Sequence, residues 1–278
     1  MNLIIQATRA IAPAHLAHLA ELTRSTHPTP IAAHAYRFSA AHTHPGIADY
    51  CLEHHLDFGF VPQGKTLADF GLLVMDMDST LITIECIDEI ADMQGLKPQV
   101  ASITAAAMRG ELDFAESLRL RVALLAGLDE SALQRVYDER LKLTAGAEIM
   151  LAKLKTLGIK TLLVSGGFEF FTERLQKRLG LDYAYANTLE IMDGKLTGKV
   201  LGDILGAQAK ADWLVNIRDE LKLGPQQVIA VGDGANDLKM LAQAGTGIAF
   251  HAKPVVRTQA SYALNFVGLD GLLPLFAS

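Results

Sequence analysis

The chain has 278 residues, half of them hydrophobic and a fifth charged, which excludes a disordered or fibrous protein and suffices for one large domain plus a small one. Its net charge of −6 argues against nucleic acid or an anionic membrane as the partner, and no apolar run approaches the roughly 20 residues that a membrane span needs. The cysteines Cys51 and Cys86 form no CxxC pair, and the opening Met1-Asn2-Leu3-Ile4-Ile5-Gln6 lacks a basic region and a cleavage site, so a reduced, cytoplasmic setting is expected.

Residues 1–69 are rich in Ala and His and are punctuated by Pro13, Pro28, Pro30, Pro45 and Pro62. The pattern predicts a strand at Leu3–Ala7, a helix at Ala14–Thr23, a strand at Ile31–Ser39, a helix at Gly46–His55 and a strand at Phe58–Val61. This βαβαβ alternation makes a small α/β module, which resembles the ACT-like regulatory modules found beside amino-acid enzymes, without their ligand-binding loop. Most of the histidines lie here, including His15, His18, His42, His44, His54 and His55. None has a Cys or carboxylate partner at ligand spacing, so packed or solvated histidines are a better reading than a metal site.

From Phe70 onward three short apolar runs end in polar residues suited to phosphate chemistry. Leu72-Leu73-Val74 leads to Met75-Asp76-Met77-Asp78-Ser79-Thr80-Leu81. Thr161-Leu162-Leu163-Val164 leads to Ser165-Gly166-Gly167-Phe168, and Val228-Ile229-Ala230-Val231 leads to Gly232-Asp233-Gly234-Ala235-Asn236-Asp237. Such runs predict a doubly wound parallel sheet whose strand ends line one crevice. If the backbone stays extended through Asp78, Asp76 and Asp78 project to the same side, and two like charges so placed ask for a cation.

About 85 residues separate the first two runs, too many for one crossover helix. Residues 86–145 read as helices: one carrying Ile87, Ile90 and Ala91, one over Val100–Met108, and one over Phe114–Ala126 after an Asp113/Glu116 capping box. They predict a helical cap over the strand ends, with loops that gate the site. In the third helix Phe114, Leu118, Arg121 and Leu125 recur at helical spacing, which sets Arg121 beside an apolar stripe while Arg119 points elsewhere. Farther on, Asp193-Gly194 predicts a β-hairpin, and Trp213 packs a helix near Leu214.

Asp-Met-Asp-Ser-Thr at 76–80, Ser165-Gly166-Gly167, Lys210 and Gly-Asp-Gly-Ala-Asn-Asp at 232–237 resemble, in order, the four motifs of the haloacid dehalogenase (HAD) superfamily of phosphohydrolases. Glu85-Cys-Ile-Asp-Glu-Ile and Glu116-Ser-Leu-Arg-Leu-Arg-Val122 extend the likeness to its phosphoserine phosphatase branch, over roughly residues 70–275. The resemblance implies a Rossmannoid core with an inserted cap. It assigns Asp76 as nucleophile, with Mg²⁺ held by the Asp76 and Asp233 carboxylates and the Asp78 backbone carbonyl. The Asp78 side chain then serves as acid and base, protonating the departing alkoxide and activating water against an aspartyl-phosphate. Lys210, Ser165 and the Gly166 amide would hold the phosphate, Asn236 would contact substrate, and Asp237 would orient a metal-bound water. The alternative for Lys210 is a solvated helix lysine; Ser165 as nucleophile lacks a matched base.

The same resemblance gives Glu85 to the α-ammonium and Arg121 to the α-carboxylate of O-phosphoserine, with Met108 and Phe114 as cap walls; the plain alternative is a surface ion pair. The implied activity is hydrolysis of this small molecule to L-serine and phosphate, the last step of serine biosynthesis. Two rivals stay open: action on, or transfer from, another small phosphomonoester such as phosphohomoserine, and an amino-acid-binding regulator with a vestigial site. The sequence is also compatible with a homo-oligomer and with Mn²⁺ or Co²⁺ in place of Mg²⁺.

Overall fold

The structure, a computed structural model, describes residues 1–25 and 27–277. Eleven strands are present: β1 (Asn2–Gln6), β2 (Thr29–Ala32), β3 (Ala35–Phe38), β4 (Asp57–Val61), β5 (Leu72–Met75), β6 (Lys160–Phe168), β7 (Tyr183–Met192), β8 (Lys195–Leu201), β9 (Val228–Gly232), β10 (Thr246–Phe250) and β11 (Tyr262–Leu264). They form one continuous sheet in the order β2-β3-β1-β4-β11-β10-β9-β5-β6-β7-β8.

The stretch from β11 to β7 is parallel, and β5 sits where the chain order reverses, with β9 on one side and β6 on the other. That reversal opens a crevice at the carboxyl ends of β5, β6 and β9. The apolar runs are fully buried because both sheet faces are covered. Leu73, Met75, Ile229 and Val231 face one core cluster while Leu72, Val74, Val228 and Ala230 face the other, the alternation that a pleated strand imposes.

The predicted helical cap is present, as helices at Cys86–Asp92, Lys97–Met108, Phe114–Ala123 and Ser131–Glu139. Its two ends lie side by side: Ile82 pairs with Leu143, Thr83 N–H donates to the Lys142 carbonyl, and Thr144 N–H donates to the Leu81 carbonyl. The third helix begins at the expected capping box, with Glu116 N–H to Asp113 Oδ1 at 2.8 Å and Asp113 N–H to Glu116 Oε2 at 3.0 Å. It stops at Ala123 rather than Ala126, where the chain turns toward Gly127, whose φ of +82° suits glycine. Asp193 and Gly194 close the expected hairpin between β7 and β8, and Trp213 stacks on Tyr185 at 3.5 Å.

The N-terminal segment departs from the sequence reading in one respect. Ile31–Ser39 is not a single strand; β2 and β3 form a hairpin with Ala32 opposite Ala35, giving a βαββαβ order. Its two-residue turn, Ala33-His34, uses no positive φ and so carries no Gly, Asn or Pro to mark it. The segment is joined firmly to the rest of the sheet. β4 pairs with β11, and the buried Asp57 carboxylate accepts from the backbone N–H groups of Asn265, Phe266 and Val267 at 2.6–2.9 Å. Among the histidines of this segment, His15 and His54 pack around the Tyr50 ring.

Candidate active site

β5 delivers Asp76 to the crevice. Asp76 and Asp78 both have extended backbone angles, but Ser79 turns left-handed (φ +56°), so the chain leaves the strand direction immediately after the second aspartate. Both carboxylates line one cavity of about 660 Å³ between the strand ends and the cap, which is also lined by Glu85, Arg121, Ser165, Gly166, Asp233 and Asn236. Lys210 completes the predicted set from behind the floor. It is a fully buried residue rather than a solvated helix lysine, and its Nζ lies 2.7 Å from Asp76 Oδ1 and 2.7 Å from Asp237 Oδ1.

Carboxylate oxygens of Asp76, Asp233 and Asp237 lie within 4.8 Å of one another. One lysine against three carboxylates leaves an excess of negative charge, and three hard oxygen donors so close together suit a divalent cation. The Asp78 side chain stands outside this trio. Burial, then Glu85, pushes its carboxyl up to about 8 against the opposing effect of Cys86, and its Oδ1 is buried without a hydrogen-bond partner. Burial, then Asp237, also pushes Asp233 up to about 6, although Thr80 Oγ1 donates to Asp233 Oδ1 at 3.1 Å. Burial raises Asp76 as well, reinforced by Asp237 and opposed by Lys210. Burial works against the Lys210 charge, but Asp76 and Asp237 together outweigh it and hold the ammonium above its usual range.

The Ser165-Gly166-Gly167 segment, an irregular stretch near the end of β6, is pinned from both sides. Ser165 Oγ accepts from Gly167 N–H at 2.9 Å, which leaves its hydroxyl hydrogen free. Asn187 donates to the Gly166 carbonyl at 2.9 Å and accepts from Leu205 N–H at 2.7 Å. Asn187 has no motif to mark it in the sequence. A Cβ on Gly166 would meet the Phe114 ring at 2.8 Å, so glycine is what lets this cap residue close over the end of β6.

Glu85 and Arg121 both line the cavity, and no ion pair joins them among the described residues. Burial lowers Arg121 while Asp88, Glu85 and Asp78 counter it, and its Nε donates to the Ser117 carbonyl at 3.3 Å. Arg119 is exposed, as its helical phase requires. Asp237 is more central than the sequence suggested. Its Oδ1 meets Lys210 and its Oδ2 accepts from Gly234 N–H at 3.0 Å, so both oxygens are engaged.

The carboxylate cluster at a switch point beneath a helical cap defines a class of phosphoryl-transfer hydrolase. Residues 70–245 match the family model of the haloacid dehalogenase-like hydrolases, and residues 3–47 match a domain of unknown function. The chain belongs to the haloacid dehalogenase-like hydrolase family. It is 52% identical over 214 residues to the phosphoserine phosphatase of Polaromonas sp., covering 75% of this chain and 91% of that protein. Among solved structures, a HAD family hydrolase from Salmonella enterica serovar Typhi is 36% identical with a TM-score of 0.91, covering 99% of both chains. A probable phosphoserine phosphatase from Vibrio cholerae, in unliganded form, is 38% identical with a TM-score of 0.84, covering 99% of this chain and 86% of that one.

Proposed function

We propose that this chain hydrolyses O-phospho-L-serine to L-serine and phosphate through a phosphoryl group carried on Asp76, with Mg²⁺ as cofactor. The observation that carries this reading is the pairing of two buried aspartates with different surroundings in one cavity, Asp76 beside the Lys210 ammonium and Asp78 with its carboxyl raised, one oxygen without a hydrogen-bond partner and Cys86 beside it. Separated environments are what divide nucleophile from proton carrier.

Met77 N–H donates to Asp76 Oδ1 at 2.7 Å, and Lys210 meets the same oxygen, which leaves Oδ2 to attack phosphorus. The bond from Oδ2 to phosphorus forms as the bond to the serine oxygen breaks, and Asp78 gives its proton to that oxygen. Asp78, now a carboxylate, takes a proton from water as the water oxygen bonds phosphorus and Asp76 is released. The Ser165 hydroxyl, the Gly166 amide and Lys210 hold the phosphate oxygens. Mg²⁺, held by Asp76, Asp233 and the Asp78 backbone carbonyl, would supply positive charge to the phosphate. Asp237, with both oxygens already engaged, fits the positioning of a water rather than direct ligation.

Glu85 would meet the α-ammonium and Arg121 the α-carboxylate; both line the cavity, and the Arg121 terminal nitrogens make no hydrogen bond among the described residues, which supports a bidentate contact. Asn236 lines the floor beside Asp233 for a further contact with substrate, and Phe114 and Met108 form the apolar walls. We also read residues 1–69 as a small ACT-like module and 70–278 as the phosphatase unit; the βαββαβ order supports that division. The two free, buried cysteines support a cytoplasmic setting, and the product places the reaction last in serine formation.

Acid quenching during turnover of ³²P-phosphoserine tests the covalent step. A hydroxylamine-sensitive label on the peptide carrying Asp76 is expected; label on Ser165, or none in any quench with turnover in progress, contradicts it.

A further inference from the structure

Resting on the substrate reading above, we infer that Ser79 is a positioning residue that sets the Glu85 carboxylate for the substrate ammonium. Ser79 Oγ donates to Glu85 Oε1 at 2.7 Å, the short distance expected when the acceptor is charged. Glu85 sits at the position preceding the helix Cys86–Asp92, yet its side chain makes no capping bond to that helix. It turns instead to Ser79 and the cavity, and Oε2 has no hydrogen bond among the described residues.

The backbone argues that the hydroxyl is what keeps serine here. Ser79 has φ +56°, a conformation in which glycine is free of strain and serine is not. The turn is closed by Ser79 N–H to the Ile84 carbonyl at 3.2 Å and Ile82 N–H to the Met77 carbonyl at 3.0 Å, so residues 77–85 form one tied loop. Asp78 stands at the start of this loop and Glu85 at its end. The Ser79 hydroxyl therefore fixes the distance between the group that serves the phosphate ester and the group that reads the amino acid. A glycine would suit the turn better and would leave Glu85 free to rotate.

Ser79→Ala and Ser79→Gly separate the two roles. Both lose the hydroxyl, while only glycine relieves the left-handed turn. With phosphoserine, each variant is expected to raise KM by about tenfold with kcat changed less than about threefold, and turnover of an aryl phosphate lacking the ammonium should hold. In a Glu85→Gln background the Ser79→Ala change should cost little more. Equal losses on both substrates, or full additivity with Glu85→Gln, would overturn the inference.

A wild-type enzyme with no preference for phosphoserine would sink the substrate reading on its own. The positioning role is then read from the Glu85 carboxyl by ¹³C NMR, whose titration midpoint should rise when Ser79→Ala removes its donor. An unmoved midpoint would overturn it.

Discussion

Lys210 Nζ lies 2.7 Å from Asp76 Oδ1, behind the cavity floor and fully shielded from solvent. A buried charge of this kind is tolerated only with its partners in place, and here it also serves as partner to Asp237. Removing the ammonium leaves three neighbouring carboxylates with no counter-charge. In the metal-free protein Lys210→Ala should lower stability by about 3–5 kcal/mol, with Mg²⁺ restoring part of it. Urea unfolding with and without chelator checks this; an unchanged midpoint would show that the carboxylates are not charged together.

Asp78→Asn should separate the two chemical steps. The alkoxide of phosphoserine needs a proton to leave, so its turnover should fall by about 10²- to 10⁴-fold. An activated aryl phosphate has a good leaving group and can still phosphorylate Asp76, but water then lacks its base. A burst of phenol stoichiometric with enzyme, followed by slow turnover, is expected in rapid-quench or stopped-flow traces. A uniform loss on both substrates without a burst would remove Asp78 from the proton path.

The raised carboxyls give the metal-free protein a defined pH dependence. With Asp233 at about 6 and Asp78 at about 8, both above their ordinary value of 3.8, the native state binds more protons than the unfolded chain across that interval. Stability without metal should therefore fall as pH rises from about 4 to about 8. Metal binding favours the deprotonated carboxylates, so the stabilisation by Mg²⁺ should grow over the same interval. Thermal unfolding near pH 5 and near pH 8, with Mg²⁺ and with chelator, measures the gap; one that narrows with pH would contradict the assignment.

Arg121→Ala should reduce the preference for phosphoserine over an aryl phosphate by about 10- to 100-fold, chiefly through KM, because the charged contact proposed for the α-carboxylate would be lost. Steady-state kinetics on both substrates test it. An unchanged ratio would put the carboxylate contact elsewhere.

The parallel core was legible because fully buried strands write continuous apolar runs, and because each run ends in residues whose chemistry has no structural use there. Arg121 was legible for a similar reason: a charged residue beside an apolar helical stripe must face something that accepts it. The β2–β3 hairpin was not legible, since Ala33-His34 turns without positive φ and reads as strand. The bond between Ser79 and Glu85 and the staple by Asn187 also escaped, because each depends on loop geometry rather than on periodicity. Asp237 was visible in its motif, but the engagement of its Oδ1 follows from the fully buried Lys210, a placement that a single lysine in a helical pattern does not announce, and that of its Oδ2 from the Gly234 N–H.

Phosphate release from L-phosphoserine, phosphothreonine, phosphohomoserine, a sugar phosphate and an aryl phosphate, with Mg²⁺ and with chelator, tests the central claim most directly. A large, chelator-sensitive preference for phosphoserine is predicted. Equal rates across the panel, or activity that survives the chelator, would contradict it.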